Sequence, residues 1–350
     1  MKNRLCEGNA LDVLKSIEKE SVELIYLDPP FFTNRIHESN GIKSNKIIFS
    51  DIWLNGMNDY LDFMSEIFIQ CSKIIRKTGS ILLHCDYHAS HYLKVELDKI
   101  FGYNNFRNEI IWKRHNSQNN FKQGAKIFGR IHDTILVYSK SKNFTWNQPF
   151  EDYTLEYIKK AYNKKDENGE LYAYGDLSGP GGASKGNPFF EFLGIKRYWR
   201  YNEEKMHQLL KEGKIIQTKP GTVPKLKRYL KEMKGIPLGD IWLDISNEQT
   251  KQRKSILYPT QKPLKLLERI IRCYTNENEI VLDPFCGSGT TLVSAQQLNR
   301  KWIGIDNNPL AIKLSKHRLR NTRNYRFEIV KMDTIIHNFI EHRHHQYEAH

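Results

Sequence analysis

The chain has 350 residues, of which 39% are apolar and 12% aromatic, and it carries a net charge of +14. This composition excludes a disordered chain, and the length suffices for a hydrophobic core in one large domain or two. No run approaches the roughly 18 apolar residues of a membrane helix, and the basic balance favours a polyanionic partner.

The first part of the chain alternates strand and helix patterns. A strand pattern begins almost at the N-terminus, which predicts no signal peptide and a cytoplasmic location. Apolar residues at helical spacing predict helices over Tyr60–Ile75 and His91–Ile100. Apolar runs of strand length predict strands at Val22–Leu27, Ser80–Cys85, Asn108–Trp112 and Thr134–Tyr138.

Residues 141–252 lose this alternation. They contain Gly179-Pro180-Gly181-Gly182 and a basic segment, Lys211–Lys234, with eight Lys or Arg. These features predict an inserted smaller domain or a large loop region. Regular patterns return at Tyr258, with helices predicted at Leu264–Tyr274, Thr290–Leu298 and Pro309–Leu319 and strands at Glu279–Leu282 and Lys301–Ile305. The repeated units predict an α/β fold with a doubly wound, mostly parallel sheet.

The cysteines and histidines give no sign of a metal centre. The five cysteines, at positions 6, 71, 85, 273 and 286, form no CxxC pair. An odd, scattered set fits reduced thiols better than disulfides or zinc. The histidines at 337, 342, 344, 345 and 350 fall in a polar tail, so we expect no metal.

A glycine-rich turn follows the predicted strand that ends at Leu282. The segment Asp283-Pro284-Phe285-Cys286-Gly287-Ser288-Gly289-Thr290 leads into a helix, so it presents backbone amides and a helix N-terminus to a ligand. Asp306 lies 17 positions after Gly289, at the end of the next strand, where a carboxylate can accept hydrogen bonds from ribose hydroxyls. The spacing is not GxGxxG and the turn has no basic residue. We therefore predict a nucleoside-bearing cofactor without phosphates.

A second motif, Asp28-Pro29-Pro30-Phe31, follows the strand Val22–Leu27. The two prolines stiffen the chain, and the Pro29 carbonyl and the Asp28 carboxylate are two acceptors that suit an exocyclic amino group. Phe31 supplies a flat face against which a base can stack. An ordinary strand-to-loop turn with a core Phe would have the same residues.

Positive charge is concentrated in a few connecting regions. Basic and aromatic residues interleave from Arg107 to Arg130, and Lys211–Lys234 adds a second basic region. This placement favours a phosphate-binding face over diffuse solvation.

Four segments, in this order, carry a resemblance to a known family: Asp28-Pro29-Pro30-Phe31, Tyr258-Pro259-Thr260-Gln261-Lys262-Pro263, Asp283–Thr290 and Trp302-Ile303-Gly304-Ile305-Asp306. The chain resembles the bacterial DNA amino-methyltransferases that use S-adenosylmethionine, in the circularly permuted group called β. In that group the catalytic motif precedes the target-recognition region, and the cofactor motif comes last. The resemblance covers roughly residues 5–138 and 240–320.

The resemblance implies a fold and a division of the chain. The fold would be a Rossmann-like methyltransferase with a seven-stranded sheet, circularly permuted, and with an inserted target-recognition region. Residues 1–140 would form the catalytic half, 141–252 the target-recognition region, 253–325 the cofactor-binding half, and 326–350 a polar tail.

The resemblance also implies residue roles. Asp28 and Pro29 would bind the target amino group, Pro30 would stiffen the same motif, and Phe31 would stack on the flipped base. The cofactor would be held by residues from both halves: Asn9, Ala10, Asp28, Thr260, Lys262, Asp283, Phe285, Gly287, Gly289, Thr290 and Asp306. Thr260 and Lys262 would contact its methionine carboxylate, Asn9 and Ala10 would approach its adenine, and Asp306 would hold its ribose.

The implied activity is methylation of adenine N6 in duplex DNA. Within the family, Asp at the position of Asp28 accompanies adenine more often, and Ser accompanies cytosine N4. Phe31 stands where Tyr is common, which keeps the stacking face. The resemblance further implies a restriction-modification context, with any endonuclease as a separate chain, and a homodimer.

Other interpretations stay open at this point. The first alternative is an N4-cytosine enzyme, and a remoter one is a DNA-binding protein without catalysis. A Rossmann dehydrogenase would need GxGxxG, which is absent. RNA or protein as the substrate is a further alternative.

Overall fold

The computed structural model describes residues 2–40, 46–115, 126–247, 261–322 and 326–331, with side chains described outside 36–50. The predicted cofactor residue Thr260, residues 116–125 of the basic and aromatic region, and the histidine-rich tail lie outside the described residues. The chain divides into two compact units. The main unit is formed by residues 1–149 and 239–350, and the inserted unit is formed by residues 150–238.

The first part of the main unit follows the predicted alternation. Its helices are α1 (Ala10–Ser16), α2 (Met57–Ile74) and α3 (Ser90–Phe101), with a 3-10 helix at Tyr103–Asn105. Its strands are β1 (Asn3–Glu7), β2 (Val22–Leu27), β3 (Arg35–Asn40), β4 (Lys46–Asp51), β5 (Ile75–Cys85), β6 (Phe106–Lys113) and β7 (His132–Ser139).

The inserted unit is built from short elements. Its strands are β8 (Phe150–Glu151), β9 (Lys164–Lys165), β10 (Leu171–Asp176), β11 (Phe189–Phe192), β12 (Ile195–Tyr198), β13 (Ile215–Ile216), β14 (Lys225–Tyr229) and β15 (Ile236–Pro237). Its helices are α4 (Leu155–Ala161) and α5 (Glu203–Lys211), with 3-10 helices at Gly182–Lys185 and Leu230–Glu232. Strands β13, β14, β10 and β9 form an antiparallel sheet, and a small core forms around Trp199 and Met206. This unit lies within the region 141–252 that the sequence marks as irregular.

The second part of the main unit resumes the regular pattern. Its strands are β16 (Ile241–Trp242), β17 (Ile280–Asp283), β18 (Lys301–Asp306) and β19 (Phe327–Lys331), and its helices are α6 (Leu264–Tyr274), α7 (Thr290–Gln297) and α8 (Pro309–Arg320). None of the helices in the described ranges is long and apolar enough to cross a bilayer.

One large sheet organises the main unit, in the order β16-β6-β7-β5-β2-β17-β18-β1-β19. All neighbouring strands pair parallel except around β7, which pairs antiparallel with β5 and β6. The predicted α/β fold with a mostly parallel sheet is therefore confirmed. The sheet has nine strands instead of the expected seven, because β16 and β19 extend it at the two edges. Residues 327–331 thus pair with β1, whereas the sequence places them in a polar tail.

The strand–helix boundaries follow from side-chain burial. Strand β2 is buried at all six positions, as expected for a central strand with both faces covered. Helix α2 buries one stripe of side chains at helical spacing: Tyr60, Met64, Ile67, Phe68, Cys71 and Ile74. It ends at Ile74, and β5 begins at once with Ile75, five residues before the predicted strand, since Ile75 pairs with Val22 of β2.

The connections of the sheet diverge between two adjacent strands. From β17 the chain continues through α7 to β18 on one side, and from β2 it continues to β5 on the other side. Strands β17 and β2 pair directly, with Leu282 opposite Ile25. Diverging connections leave a crevice at the carboxyl ends of such strands, which is where open α/β sheets bind ligands.

Candidate active site

A cavity of about 700 Å³ opens at the divergence of β17 and β2. It is lined by residues from both motifs and from α1 and β18. Of the residues predicted to form the site, the following line it: Asn9, Ala10, Asp28, Pro29, Pro30, Phe31, Lys262, Asp283, Phe285, Gly287, Thr290 and Asp306. The two motifs, which are distant in sequence, therefore share one cavity.

The Asp28 carboxylate lies directly after β2 and contacts Lys262. The Nζ of Lys262 donates to both carboxylate oxygens, at 2.6 and 2.7 Å, and both side chains are mostly buried. The same Nζ lies 4.9 Å from the centroid of the Phe31 ring, a cation–π contact. Lys262 thus occupies the Asp28 carboxylate, which the sequence analysis predicts to bind the amino group of the target base.

The loop that carries Phe31 is anchored by residues that the sequence did not single out. The hydroxyl of Tyr60 donates to the Pro30 carbonyl at 2.8 Å. The buried carboxylate of Asp51 accepts from the Thr33 backbone N–H and from the Trp53 indole, at 2.6 and 2.9 Å. These bonds fix the loop between β2 and β3. Asp51 is the last residue of β4, and an acidic residue at the end of a strand is the signal in the sequence that could have identified it.

The glycine-rich turn is held from two sides. The backbone N–H of Gly287 donates to Asp306 Oδ2 at 2.8 Å, and the hydroxyl of Ser315 on α8 donates to the Gly287 carbonyl at 2.7 Å. Gly289 has φ +75°, and a Cβ there would lie 2.7 Å from Ser315 Oγ. Only glycine adopts this positive φ readily and also leaves room for the Ser315 hydroxyl. Gly289 therefore shapes the turn, while the neighbouring residues line the cavity.

Arg318 of α8 is a further residue that sequence reasoning missed. Its Nη1 donates to the carbonyl and hydroxyl oxygens of Ser288, at 2.7 and 2.8 Å, and to Thr290 Oγ1 at 3.0 Å. Burial lowers the pKa of Arg318 to about 10, which leaves the guanidinium charged at neutral pH. The charged guanidinium of Arg318 therefore holds the glycine-rich turn in place through hydrogen bonds to Ser288 and Thr290.

Two carboxylates stand at the ends of β17 and β18: Asp283 is buried and Asp306 is partly buried. Burial, together with the charges of Asp28 and Asp306, raises the pKa of Asp283 to about 7, although Thr291 Oγ1 and the Phe285 N–H donate to it. Burial likewise raises the pKa of Asp306 to about 6, against the hydrogen bonds from the Asn308 and Gly287 backbones. Perturbed carboxylates in a cavity are typical of functional sites.

Asn9 and Ala10 lie where β1 passes into α1. The Asn9 side chain accepts from the Leu11 N–H at 2.9 Å and so caps the helix N-terminus. This cap fixes the end of β1 beside the cavity.

Cys286 is buried in the glycine-rich turn, and burial raises the pKa of its thiol well above the usual value, so it is not an activated nucleophile. Within the described part of the chain, no cluster of His, Cys, Asp or Glu could hold a metal ion.

Comparison with known proteins gives a consistent result. A family model described as DNA methylase matches residues 22–317. The type II methyltransferase M.EcaI of Enterobacter cloacae is 34% identical over 304 residues, which are 85% of this chain and 64% of that protein. The DNA adenine methyltransferase YhdJ of Escherichia coli K12 is 26% identical over 328 residues, which are 93% of this chain and 85% of that protein.

Solved structures share the fold. TTHA0409 of Thermus thermophilus, complexed with S-adenosyl-L-methionine, aligns with a TM-score of 0.51 at 19% identity over 94% of this chain and 98% of that chain. The chain spans 64% of the length of M.EcaI, and 50% of the Mod subunit of the type III enzyme StyLTI from Salmonella typhimurium, to which it is 26% identical over 85% of its own length.

Proposed function

The chain belongs to the N6/N4 DNA methylase family of S-adenosylmethionine-dependent methyltransferases, and on that premise we propose that it methylates the exocyclic amine of a base in duplex DNA. The proposed target is adenine N6. The motif order further supports assignment to the circularly permuted β group, because the Asp28 motif precedes the inserted unit and the glycine-rich turn follows it.

The observation that carries this proposal is the shared cavity. Asp28 and Phe31 lie at the end of β2, and the Gly287 turn lies at the end of the adjacent strand β17. An amine held by the first motif would therefore face a ligand held by the second. Transfer between two bound groups gains most of its rate from such positioning.

The residues present fit S-adenosylmethionine. A cavity of about 700 Å³ is large enough for a nucleoside with an amino-acid arm. The Asp306 carboxylate suits the ribose hydroxyls, and the Lys262 ammonium suits the methionine carboxylate. Phe285 and the Gly287 backbone line the space between them. When bound, the cofactor supplies an electrophilic methyl group.

The chain's own residues prepare the amine. The Asp28 carboxylate and the Pro29 carbonyl accept its two hydrogens, which turns the nitrogen lone pair away from the ring. Phe31 stacks on the extruded base and holds its plane. Extrusion of the base from the duplex costs a few kcal/mol, which contacts in the cavity must offset. No covalent bond to the protein is needed.

Adenine N6 is preferred over cytosine N4 because Asp28 occupies the first position of the motif. N4-cytosine stays the second candidate, since the family model covers both activities by name. We further propose that the inserted unit, with its basic strand β14, recognises the target sequence. A homodimer and a separate endonuclease remain predictions.

The first experiment is methyl transfer from labelled S-adenosylmethionine to mixed-sequence duplex DNA, followed by mass analysis of the nucleosides. We expect N6-methyladenine from the wild type and none from Asp28→Ala. Detection of N4-methylcytosine would support the same mechanism but identify cytosine as the target base. Cofactor binding without any transfer to DNA would contradict the proposal. Sequencing of DNA from cells that express the protein identifies the methylated motif for later assays.

A further inference from the structure

A network of buried, hydrogen-bonded polar side chains crosses the sheet beneath Phe31. Tyr26 on β2, His84 on β5 and Asp133 on β7 are each at most 2% exposed. The Tyr26 hydroxyl lies 2.8 Å from His84 Nδ1, and His84 Nε2 lies 3.1 Å from Asp133 Oδ2. Asp133 Oδ1 lies 3.2 Å from Arg114 Nε, as an ion pair. Buried polar groups are costly unless they are paired, so this network needs an explanation beyond packing.

The protonation of the network follows from its partners. Burial lowers the pKa of His84, and the positive charge of Lys262 lowers it further, although Asp133 opposes both. Burial would raise the pKa of Asp133, but the hydrogen bond from His84 and the positive charges of Lys262 and Arg114 lower it overall. The ring is therefore neutral and the carboxylate ionised. A carboxylate only accepts, so Nε2 carries the ring proton and Nδ1 accepts from Tyr26.

The imidazole held in this way faces the candidate active site. The Phe31 ring stacks on His84 with centroids 5.8 Å apart and planes at 20°. Trp112 packs edge-on against the same imidazole, at 5.6 Å and 86°. His84 thus has its plane fixed by Tyr26, Asp133 and Trp112, and it passes that orientation to Phe31.

We propose that His84 is a positioning residue that sets the plane of Phe31, and hence the slot for the target base. Tyr26 and Asp133 act through it, because they fix its tautomer and its rotation. The inference rests on the proposed function, since the slot has a purpose only if a base stacks on Phe31. The proposal gives β5 and β7, which lie outside both the Asp28 motif and the glycine-rich turn, a role in the reaction.

The test is a double-mutant cycle on methyl transfer to a duplex that carries the methylated motif. Tyr26→Phe removes one hydroxyl and Phe31→Leu removes the stacking ring. We expect Tyr26→Phe to lower kcat about tenfold, with cofactor Kd and KM for DNA nearly unchanged. In the Phe31→Leu background the same change should have little further effect, because coupled residues are not additive. His84→Asn, which keeps a donor and an acceptor, should retain more activity than His84→Leu.

Tyr138→Phe is the matched control. Tyr138 is also fully buried in the same sheet, and its hydroxyl donates to Asp98 at 2.6 Å, outside the cavity. It should lower thermal stability as Tyr26→Phe does but leave kcat unchanged. Equal kcat losses in both variants, or additive losses in the cycle, would overturn the inference while leaving the proposed function intact. A wild-type protein that transfers no methyl group to DNA would overturn the proposed function first.

Discussion

The Nζ of Lys262 lies between the two carboxylate oxygens of Asp28 and the face of Phe31, at 2.6 and 2.7 Å from the oxygens and 4.9 Å from the ring centroid. A base amine bound as proposed needs the same carboxylate and the same ring. The Lys262 ammonium and the base amine therefore compete for the Asp28 carboxylate and the Phe31 ring. A cofactor carboxylate would draw Lys262 away, so cofactor binding would open the slot for the base.

Lys262→Gln should uncouple base entry from cofactor binding. Without the ammonium, Asp28 is open to the amine even when no cofactor is present. The fluorescence of 2-aminopurine, placed at the target position of a duplex, should be higher with the variant than with the wild type in the absence of cofactor. Methyl transfer should fall about tenfold, since a charged hydrogen-bonding group is lost. Lys265→Gln, an exposed position on α6, is the control, and equal fluorescence in all three proteins would contradict competition.

Asp28→Ala should lower kcat by at least about a hundredfold. In the proposed mechanism the Asp28 carboxylate accepts from the amine, whereas the glycine-rich turn proposed to receive the cofactor follows another strand, β17. Isothermal titration with S-adenosylmethionine should therefore still detect binding. Transfer at wild-type rates would refute the assignment of Asp28, and loss of cofactor binding would show that its pairing with Lys262 shapes the cofactor site.

Asp306→Ala should weaken cofactor binding by ~1.5–3 kcal/mol, the cost of losing a charged hydrogen-bonding partner. The carboxylate has further lone pairs for a ribose besides the two used by the Gly287 and Asn308 N–H groups. Titration calorimetry measures the change directly. Asp62→Ala, an exposed acid on α2, serves as control and should bind as the wild type does. An unchanged Kd for Asp306→Ala would place the ribose elsewhere.

Asp283→Asn should stabilise the protein more at pH 8 than at pH 5. The folded pKa of Asp283 is about 7, above its ordinary value, so the folded chain holds this proton more tightly than the unfolded chain. Its contribution to stability is greatest below the ordinary pKa and is lost as pH rises towards about 7. Asn resembles the protonated acid at every pH. The difference in Tm between variant and wild type, measured by calorimetry, should shrink as pH falls, and a constant difference would contradict the raised pKa.

The sequence was sufficient to predict the strand ends that form the cavity. Asp28 and Asp283 each follow a short apolar run and precede a Pro, which marks the end of a buried strand. Parallel strands bring such ends to one edge, so a shared site followed from local patterns.

The partners across the cavity could not be predicted in the same way. Lys262 meets Asp28, and Arg318 meets the turn, through contacts between elements distant in sequence. Local periodicity carries no information about such pairs. The short strand β16, only two residues long, and β19, in a polar context, were missed because neither has a pattern long enough to recognise.

The placement of β1 has a consequence for how the protein becomes active during synthesis. Residues 3–7 pair with 303–306 on one side and with 327–331 on the other. Strand β1 therefore has no sheet partners until β18 and β19, which lie about 300 residues later in the chain, have been made. Such long-range pairing slows folding. We expect nascent chains that end before β18 to bind no S-adenosylmethionine, because they lack both the strand that pairs with β1 and Asp306 at its end.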